Sequence, residues 1–292
     1  MPNPSYRVGN LQLNVVSDGT AWLDAGAIFG LVPKVMWSRV TGETNDRNQI
    51  PLGLNCVLLE SEGKTVLIET GQGRKDFEQM RSRGDEPDHG KLLENLSAMG
   101  VQPTDVDIVI NTHLHHDHCG WNTRLDETST EADVFRPTFP NARYYVQRKE
   151  WEQATAPNER TRATYLADNL LPVEAAGQAE FIDGETQITR DIRVIETPGH
   201  TADHASVVIH NGGETAVYLG DITQHRVQLE RAAWLSAFDI LPLVALETKK
   251  RLVAEAIAEQ QLLICVHGPF PGVGRLSTVE GKNKFTDEAP HG

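Results

Sequence analysis

Short apolar runs alternate with polar, turn-forming segments along most of the chain. Residues 11–16 and 54–59 have the apolar character of β-strands. Residues 65–68 follow a Gly63-Lys64 turn and are predicted to form the returning strand of a hairpin. The first part of the chain is therefore predicted to be rich in strands.

Two segments have apolar side chains at helical spacing. Residues 91–99 end at Gly100, a common helix stop, and residues 243–260 place Leu246, Val253 and other apolar side chains on one face. Helices and strands thus occur in both halves of the chain. This order fits an α/β fold in which two β-sheets pack together and helices flank them, a four-layer αββα sandwich.

Two further segments fit no regular pattern. Residues 25–39 are dense in apolar side chains without a helical or alternating period, and they could form a lid, a subunit contact or ordinary core. Residues 121–172 combine polar residues with aromatic rings. This second segment could line a substrate pocket, although most of its rings are expected to pack in the core.

Four apolar runs are each followed directly by side chains that can bind a metal ion. The runs are residues 106–110, 193–196, 216–219 and 262–266, and the segments that follow are residues 112–120, 197–201, 220–221 and 267–269. Loops at the ends of buried strands are where open α/β sheets carry their ligand sites. The four segments are therefore expected to form one site.

The densest of these segments contains the pattern His-x-His-x-Asp-His at residues 113–118. Residues two apart in an extended segment point the same way, so His113 and His115 can converge on one ion. Asp117 and His118 lie further along and can reach a second ion. His116 would face away from its neighbours and is left out of the predicted ligand set.

Charge and length narrow the possible functions. The 292 residues include 27 Lys and Arg against 41 Asp and Glu, a formal net charge of −14, which disfavours binding to nucleic acid. Because the candidate ligands extend from His113 to His267, we expect one domain over residues 1–292. The apolar runs are too short to span a membrane, and the first residues do not resemble a signal peptide, so a cytoplasmic location is expected.

The three cysteines, Cys56, Cys119 and Cys265, form no closely spaced pair, as a reducing compartment permits. Cys119 follows His118 and could be a metal ligand or a nucleophile. A small buried side chain beside the site is the favoured interpretation.

The motifs together resemble those of the metallo-β-lactamase-fold hydrolase superfamily. They are His-x-His-x-Asp-His, Thr-Pro-Gly-His-Thr at residues 197–201, Gly220-Asp221 and a late His267, and the resemblance extends over residues 65–272. Within the superfamily, the sequence is most similar to the branch of methyl parathion hydrolases and quorum-quenching lactonases. This similarity lies in residues 139–145 and in His225 and Gln228 after Asp221.

The resemblance implies two divalent ions, with zinc as the first expectation and manganese, iron or cobalt also compatible with the ligands. One ion would be held by His113, His115 and His200, the second by Asp117, His118 and His267, and Asp221 would bridge them. The family often has Asp-Thr-Gly where this chain has Glu69-Thr70-Gly71, so a carboxylate behind the ligands would be one methylene longer here.

The predicted activity is metal-dependent hydrolysis of a small molecule. A hydroxide bridging the two ions would open lactones or cleave carboxyl esters or organophosphate triesters. Asp117 and Asp221 would orient it. His225 would line the pocket and donate to the substrate or leaving group, or would be satisfied elsewhere, whereas His204 and His210 are expected to be structural.

Other functions remain open at this point. A mononuclear-iron sulfur dioxygenase keeps the histidine pattern, and a glyoxalase II-like thioester hydrolase shares the chemistry. A binding module without activity is disfavoured because the ligand set, including Asp117, is intact. No membrane partner is expected, and a homodimer formed through residues 25–39 is a further hypothesis.

Overall fold

A computed structural model of the chain describes residues 3–42, 44–131 and 133–291. Within these residues the chain forms sixteen β-strands. They are β1 (Ser5–Val8), β2 (Leu11–Asp24), β3 (Gln49–Ser61), β4 (Lys64–Ile68), β5 (Ile108–Ile110), β6 (Thr123–Leu125), β7 (Phe135–Pro137), β8 (Arg143–Gln147), β9 (Ala179–Ile182), β10 (Thr186–Gln187), β11 (Ile192–Glu196), β12 (Ala205–Asn211), β13 (Glu214–Tyr218), β14 (Leu262–Ile264), β15 (Val273–Val279) and β16 (Lys282–Asp287).

The strands form two seven-stranded sheets and a two-stranded ribbon of β6 and β7. The first sheet has the order β1-β2-β3-β4-β5-β8-β9, and the second has β10 to β16 in chain order. Both sheets are mixed. The neighbours β4, β5, β8 and β9 run parallel in the first sheet, as do β13 and β14 in the second, while the other neighbours are antiparallel.

Nine α-helices lie in the same described residues. They are α1 (Ala25–Phe29), α2 (Lys34–Thr41), α3 (Phe77–Ser82), α4 (Leu92–Ala98), α5 (His116–Cys119), α6 (Arg148–Thr155), α7 (Leu171–Ala175), α8 (Val227–Glu230) and α9 (Pro242–Ala258). The two helices predicted from spacing are α4 and α9, within two residues at each end. None of the described helices combines the length and the apolar character that a membrane crossing requires.

The hydrophobic core has three layers of contact. Leu13 and Val57 of the first sheet meet Val207 of the second in the space between the sheets. Leu96 of α4 covers the outer face of the first sheet, and Val253 of α9 covers the outer face of the second. Each such side chain contributes about 1.5–3 kcal/mol by its burial. The order helix, sheet, sheet, helix confirms the predicted αββα sandwich.

Strands β2 and β3 are longer than the predicted segments at residues 11–16 and 54–59. A bulge between Ser17 and Thr20 interrupts the apolar pattern of β2 and turns Asp18 inward. The buried carboxylate of Asp18 accepts hydrogen bonds from the backbone N–H groups of Gln72 (2.9 Å) and Leu92 (2.8 Å). It thereby fixes the loop after β4 and the start of α4.

Residues 25–39 form α1 and most of α2 rather than an irregular segment. Ile28, Phe29 and Trp37 pack in a buried cluster with Trp234, so this part of the segment is core. By contrast, Leu31, Val35 and Met36 are exposed. The missing helical period has a simple cause, because Gly30 and Pro33 separate two short helices.

Residues 121–172, described here except for residue 132, include β6, β7, β8 and α6. Most of the rings in this segment are buried, as predicted: Trp121, Phe139, Tyr144, Trp151 and Tyr165. Phe135 and Tyr145 are half-buried. The segment therefore contributes core packing to the first sheet.

Candidate metal centre

The four motif segments meet at one end of the sandwich, where β5, β11, β13 and β14 end. One backbone hydrogen bond, from Ala205 N–H to the Thr112 carbonyl (2.9 Å), joins the segment after β5 to the second sheet. Another, from Asn55 N–H to the Val266 carbonyl (3.0 Å), joins the segment after β14 to the first sheet. The site is therefore built from both sheets.

Three buried imidazoles form the first cluster, which consists of His113, His115 and His200. Nε2 of His200 lies 3.0 Å from Nδ1 of His115. Nδ1 of His113 contacts the Thr112 hydroxyl at 3.1 Å, while its Nε2 has no hydrogen-bond partner among the described residues. Each ring thus offers one nitrogen to the common centre.

The second cluster consists of Asp117, His118 and His267. The Oδ2 atom of Asp117 lies 3.7 Å from Nε2 of His118 and 3.5 Å from Nε2 of His267. The carboxylate of Asp117 is the most exposed of the three side chains, with 14 % of its surface accessible. This cluster is therefore open to solvent on the Asp117 side.

Asp221 lies between the two clusters. Its Oδ1 atom is 3.2 Å from Nε2 of His118 and 3.1 Å from Nε2 of His267. Its Oδ2 atom is 3.4 Å from Nε2 of His200. The two oxygens of one carboxylate thus face different clusters, as a bridging ligand would.

The donor atoms fit divalent metal ions. Four ligands at about 2.0–2.1 Å from a tetrahedral zinc ion lie about 3.4 Å from one another, and the distances in the two clusters are close to this value. Buried polar atoms normally have partners, yet His113 Nε2, His118 Nε2 and Asp221 Oδ1 have none by hydrogen bonding within the described chain. Metal coordination would satisfy all three atoms.

At four of the candidate ligands the protonation states suit metal binding, which needs neutral imidazole and ionised carboxylate. At His118 and His267 burial would lower the pKa, but the Asp221 carboxylate outweighs it and raises that pKa. Burial, together with the neighbouring imidazoles, holds the pKa of His113 and of His115 well below the usual value. Burial alone would raise the pKa of Asp221, but the imidazoles of His267 and His118 outweigh it and keep that pKa well below normal. The same balance lowers the pKa of Asp117 to about 2.

Glu69 lies behind the ligands as a buried carboxylate. It accepts hydrogen bonds from the backbone N–H of Thr112 (2.9 Å) and from the Thr112 hydroxyl, which contacts His113 Nδ1. Its Oε1 atom lies 3.6 Å from Nδ1 of His118. Glu69 therefore lies beside both clusters, through Thr112 in the first and through His118 in the second.

Asp239 supports His200 from outside the cluster. The Nδ1 atom of His200 lies 3.2 Å from Asp239 Oδ1, and Asp239 Oδ2 accepts the backbone N–H of Ser236 at 3.1 Å. Both carboxylate oxygens of this buried residue are thus engaged. An acceptor at Nδ1 keeps the proton there and leaves Nε2 free as a metal ligand. This contact could not be predicted from the sequence, because Asp239 belongs to none of the motifs.

Glu150 connects two of the motif segments. Its Oε1 atom accepts the backbone N–H of Leu114 (3.0 Å) and the Tyr165 hydroxyl (2.9 Å), and its Oε2 atom accepts the Thr201 hydroxyl (2.6 Å). The side chain is completely buried. Spacing could not reveal it, since an isolated glutamate in a polar helix is ordinarily exposed.

Of the two histidines predicted to be structural, His204 lies beside Asp221 and His210 lies on the surface. His204 accepts the backbone N–H of Asp221 on its Nε2 atom at 2.9 Å. A Cβ atom at residue 220 would lie 2.5 Å from that same nitrogen, and φ there is 59°, which explains Gly220 in the motif. His210 is exposed and contacts the Thr215 hydroxyl. Both histidines lie outside the two clusters, in agreement with the sequence prediction.

Cys119 is buried in a hydrophobic cluster with Leu114 and Val146. Its thiol donates to the carbonyls of Leu114 and His115, both at 3.3 Å. Burial raises the pKa of this thiol well above normal, so it is not a thiolate at neutral pH. The predicted burial of Cys119 is confirmed.

A cavity of about 380 Å³ opens over the two clusters. Its lining includes Asp117, Asp221 and His116, which is not one of the clustered ligands. It also includes Gln224, whose Nε2 donates to Asp221 Oδ2 at 3.0 Å. Gln224 was missed in the sequence, although its position three residues after Asp221 was a usable signal.

His225 does not line the cavity that its neighbour Gln224 lines. It lines a separate surface depression with Val40 and Phe285. Its ring packs edge-on against Phe29 with centroids 5.4 Å apart, and its Nδ1 accepts the Val227 N–H at 3.2 Å. Burial lowers the pKa of His225 to about 4, so the ring is neutral. The structure brings the seven candidate ligands together but does not place His225 with them.

Comparison with known proteins gives a consistent result. The family model for the metallo-beta-lactamase superfamily matches residues 50–254, more than half of the chain. An N-acyl homoserine lactonase of Bacillus cereus is 25% identical over 241 residues, which are 79% of this chain and 87% of that protein.

Solved structures are similar over the whole length. A probable metal-dependent hydrolase from Staphylococcus aureus has a TM-score of 0.85 and 25% identity, covering 98% of this chain and all of the other. AidC, a dizinc quorum-quenching lactonase in complex with its product N-hexanoyl-L-homoserine, has a TM-score of 0.80 and 20% identity, covering 99% and 98%. The second similarity concerns the fold alone.

Proposed function

Because this chain belongs to the metallo-beta-lactamase superfamily and is a metal-dependent hydrolase, we propose that it is a dinuclear enzyme that opens lactones or cleaves related neutral esters. The resemblance found in the motifs is thereby confirmed at the level of the superfamily. One observation carries the dinuclear proposal. The two oxygens of Asp221 face two separate donor clusters at 3.1–3.4 Å.

The proposed ligands are the seven residues of the two clusters and the bridge. His113, His115 and His200 would hold one ion, Asp117, His118 and His267 the second, and Asp221 both. Imidazole and carboxylate donors suit zinc, and they also suit manganese, iron and cobalt. Zinc is the first metal to test, since a solved lactonase of this fold is described as a dizinc enzyme.

Bound ions of this kind supply Lewis-acid activation of a water molecule and of the carbonyl or phosphoryl oxygen under attack. The protein side chains supply orientation. Asp117 and Asp221, both ionised, would orient the attacking water from the cavity floor. Gln224 donates to Asp221 Oδ2 and would keep that carboxylate in its bridging orientation.

Lactones are the substrate class that we place first. The curated lactonase relative is similar over most of its length, and the cavity has an apolar wall that includes Trp22, Leu23 and Phe238, against which an acyl chain could pack. Carboxyl esters and organophosphate triesters require the same attack on a neutral electrophile, so they belong in the same test.

The test measures proton release in weak buffer after reconstitution with zinc, manganese, cobalt or iron. The substrates are acyl-homoserine lactones, simple lactones, aryl esters, a thioester and an organophosphate triester. We expect metal-dependent turnover that His113→Ala abolishes and that His210→Ala, an exposed histidine outside the site, leaves intact. Absence of turnover across the panel, with two metal equivalents bound, would overturn the proposal in favour of iron-dependent sulfur chemistry.

A third variant, His225→Ala, tests a role for His225 that differs from the substrate contact predicted from the sequence. We propose that His225 supports turnover through the turn after Asp221, since its Nδ1 accepts the Val227 N–H there. The variant should keep both metals and lower kcat. An unchanged kcat would remove His225 from the mechanism.

A further inference from the structure

The cavity over the metal centre has an acidic side. Asp85, Glu86 and Asp88, in the segment between α3 and His89, line the same cavity as Asp117 and Asp221. Among the described residues that line it, none is a lysine or an arginine. Apart from the imidazoles in the lining and any bound ions, the described side chains that line the cavity are therefore neutral or negative.

The cations near these carboxylates lie outside the lining. Arg47 forms an ion pair with Asp85, and Lys91 forms one with Asp88; both basic side chains are about half exposed. Glu86 is exposed and takes part in no ion pair or hydrogen bond found for the described residues. Its charge is consequently the least compensated of the three.

The rest of the cavity offers no strong anion-binding group either. The wall contributes apolar side chains such as Trp22 and Phe238 and the amides of Asn45 and Gln49. On the floor, Gln224 is 4% exposed, and its Nε2 atom already donates to Asp221 Oδ2 at 3.0 Å. Tight binding of carboxylate or phosphate tails ordinarily uses arginine or lysine.

We propose that this cavity selects substrates whose non-reacting part is uncharged or cationic, and that Glu86 contributes directly to that selection. The inference rests on the proposed hydrolase function and narrows its substrate class. Anionic acyl chains and peptide thioesters with free carboxylates are repelled at the cavity mouth. N-acyl lactones and esters with uncharged chains are accepted.

The size of the effect follows from Coulomb's law. One unit charge at a solvent-exposed mouth changes the rate of capture of a charged substrate by about two- to five-fold at low salt, and screening removes most of this at high salt. Replacing a negative side chain by a positive one should change the logarithm of this rate about twice as much as replacing it by a neutral one.

The experiment compares three nitrophenyl esters with chains of similar length. One chain is uncharged, one ends in a carboxylate, and one ends in a trimethylammonium group. The zinc-loaded full chain is assayed for kcat/KM at about 0.02 M and about 0.5 M salt, which changes the screening length several-fold. Each ratio between esters is divided by the ratio of their hydroxide-catalysed rates, so that chemical reactivity cancels.

We expect the wild-type protein to prefer the uncharged and cationic esters at low salt. Glu86→Gln should raise the ratio of kcat/KM for the anionic ester to kcat/KM for the uncharged ester about three-fold. Glu86→Lys should raise the same ratio about ten-fold, and both increases should become small at high salt. Glu78→Gln removes an exposed carboxylate from nearby α3, outside the cavity, and should leave the ratio unchanged.

The outcomes separate the two proposals. Failure to hydrolyse the uncharged ester and the lactones would reject the hydrolase function itself. Hydrolysis of all three esters with equal corrected kcat/KM at both salt concentrations would overturn charge selection alone. Equal shifts in Glu86→Gln and Glu78→Gln would overturn the assignment to the cavity mouth.

Discussion

At the scale of single residues, the candidate ligands depend on partners that hold their rings. The five histidines differ in these partners. His113 contacts the Thr112 hydroxyl, His267 donates to the Gly53 carbonyl at 2.8 Å, and His200 contacts the carboxylate of Asp239. A carboxylate raises the basicity of the ring that it contacts, so the contact with Asp239 should matter most for metal affinity.

We predict that Asp239→Asn weakens the binding of one metal equivalent about ten- to one-hundred-fold. An asparagine has a single oxygen, so it can accept from either His200 or Ser236 but not from both. Competition with a chelator of known affinity measures the two equivalents separately. Lower kcat alone would not distinguish this role from a general structural one.

Asp203→Asn is the matched control, because Asp203 is three residues from His200 and accepts from Gln153 rather than from a ligand. It should leave both affinities unchanged. If Asp239→Asn also leaves both unchanged, Asp239 does not act through His200.

The seven candidate ligands could be predicted from the sequence because they lie in short motifs directly after apolar runs. Glu150 and Asp239 could not, since their contacts join positions 51 and 39 residues apart in the chain. The hypothesis for His225 depended on the direction of a turn. The 3₁₀ turn at Gly220–Ile222 directs Gln224 to the cavity and leaves His225 beside Phe29.

At the scale of elements, α6 holds two motif segments in place although it carries no predicted ligand. Its residue Glu150 accepts from Leu114 in the segment after β5 and from Thr201 in the segment after β11. One buried side chain thus connects segments that belong to different sheets. Loss of that side chain would leave a backbone N–H and two hydroxyls without acceptors.

We predict that Glu150→Ala lowers the free energy of unfolding by about 3 kcal/mol or more, because each buried donor left without an acceptor costs about 1–3 kcal/mol. Glu150→Gln keeps one acceptor oxygen and should cost less. Chemical denaturation monitored by circular dichroism measures both changes. Glu152→Ala, on the exposed side of the same helix, should alter stability by less than about 0.5 kcal/mol.

If Glu150→Ala lowers the free energy of unfolding no more than Glu152→Ala does, the hydrogen bonds of Glu150 do not contribute significantly to stability. The assay of metal affinity gives a second readout. Because Glu150 positions the backbone beside His115 and His200, its loss should weaken the cluster that contains them.

The elements themselves were predictable where apolar spacing was regular, as in α4 and α9. They were less predictable where polar or turn-forming residues interrupt an apolar segment. Asp18 and Gly19 lie in the bulge of β2, where the carboxylate of Asp18 has buried partners. Because these residues interrupt the apolar pattern, the second half of this fourteen-residue strand could not be predicted. Similarly, Gly30 and Pro33 divide the apolar segment after β2 into two helices too short to show a period.

At the scale of the whole molecule, the ligand positions argue for one cooperative unit. His113, His115, Asp117 and His118 follow β5 of the first sheet, whereas His200, Asp221 and His267 follow strands of the second. Each proposed metal ion would therefore be held by both sheets. We propose on this basis that residues 1–292 form a single domain, whose two halves are joined by the core between the sheets and by the metal ligands.

We predict that the metal-free protein unfolds in one thermal transition and that zinc raises its midpoint. A ligand at one hundred times its Kd stabilises the folded state by about 2.7 kcal/mol per site, which corresponds to an increase in Tm of roughly 5–10 °C for a chain of this size. Calorimetry with and without chelator measures this change. His113→Ala and His267→Ala should each reduce the increment, although the two residues belong to different sheets, while His210→Ala should retain it. Two transitions, of which only one responded to zinc, would mean that the ligands do not join the sheets into one unit, because a metal ion held by both sheets must stabilise both.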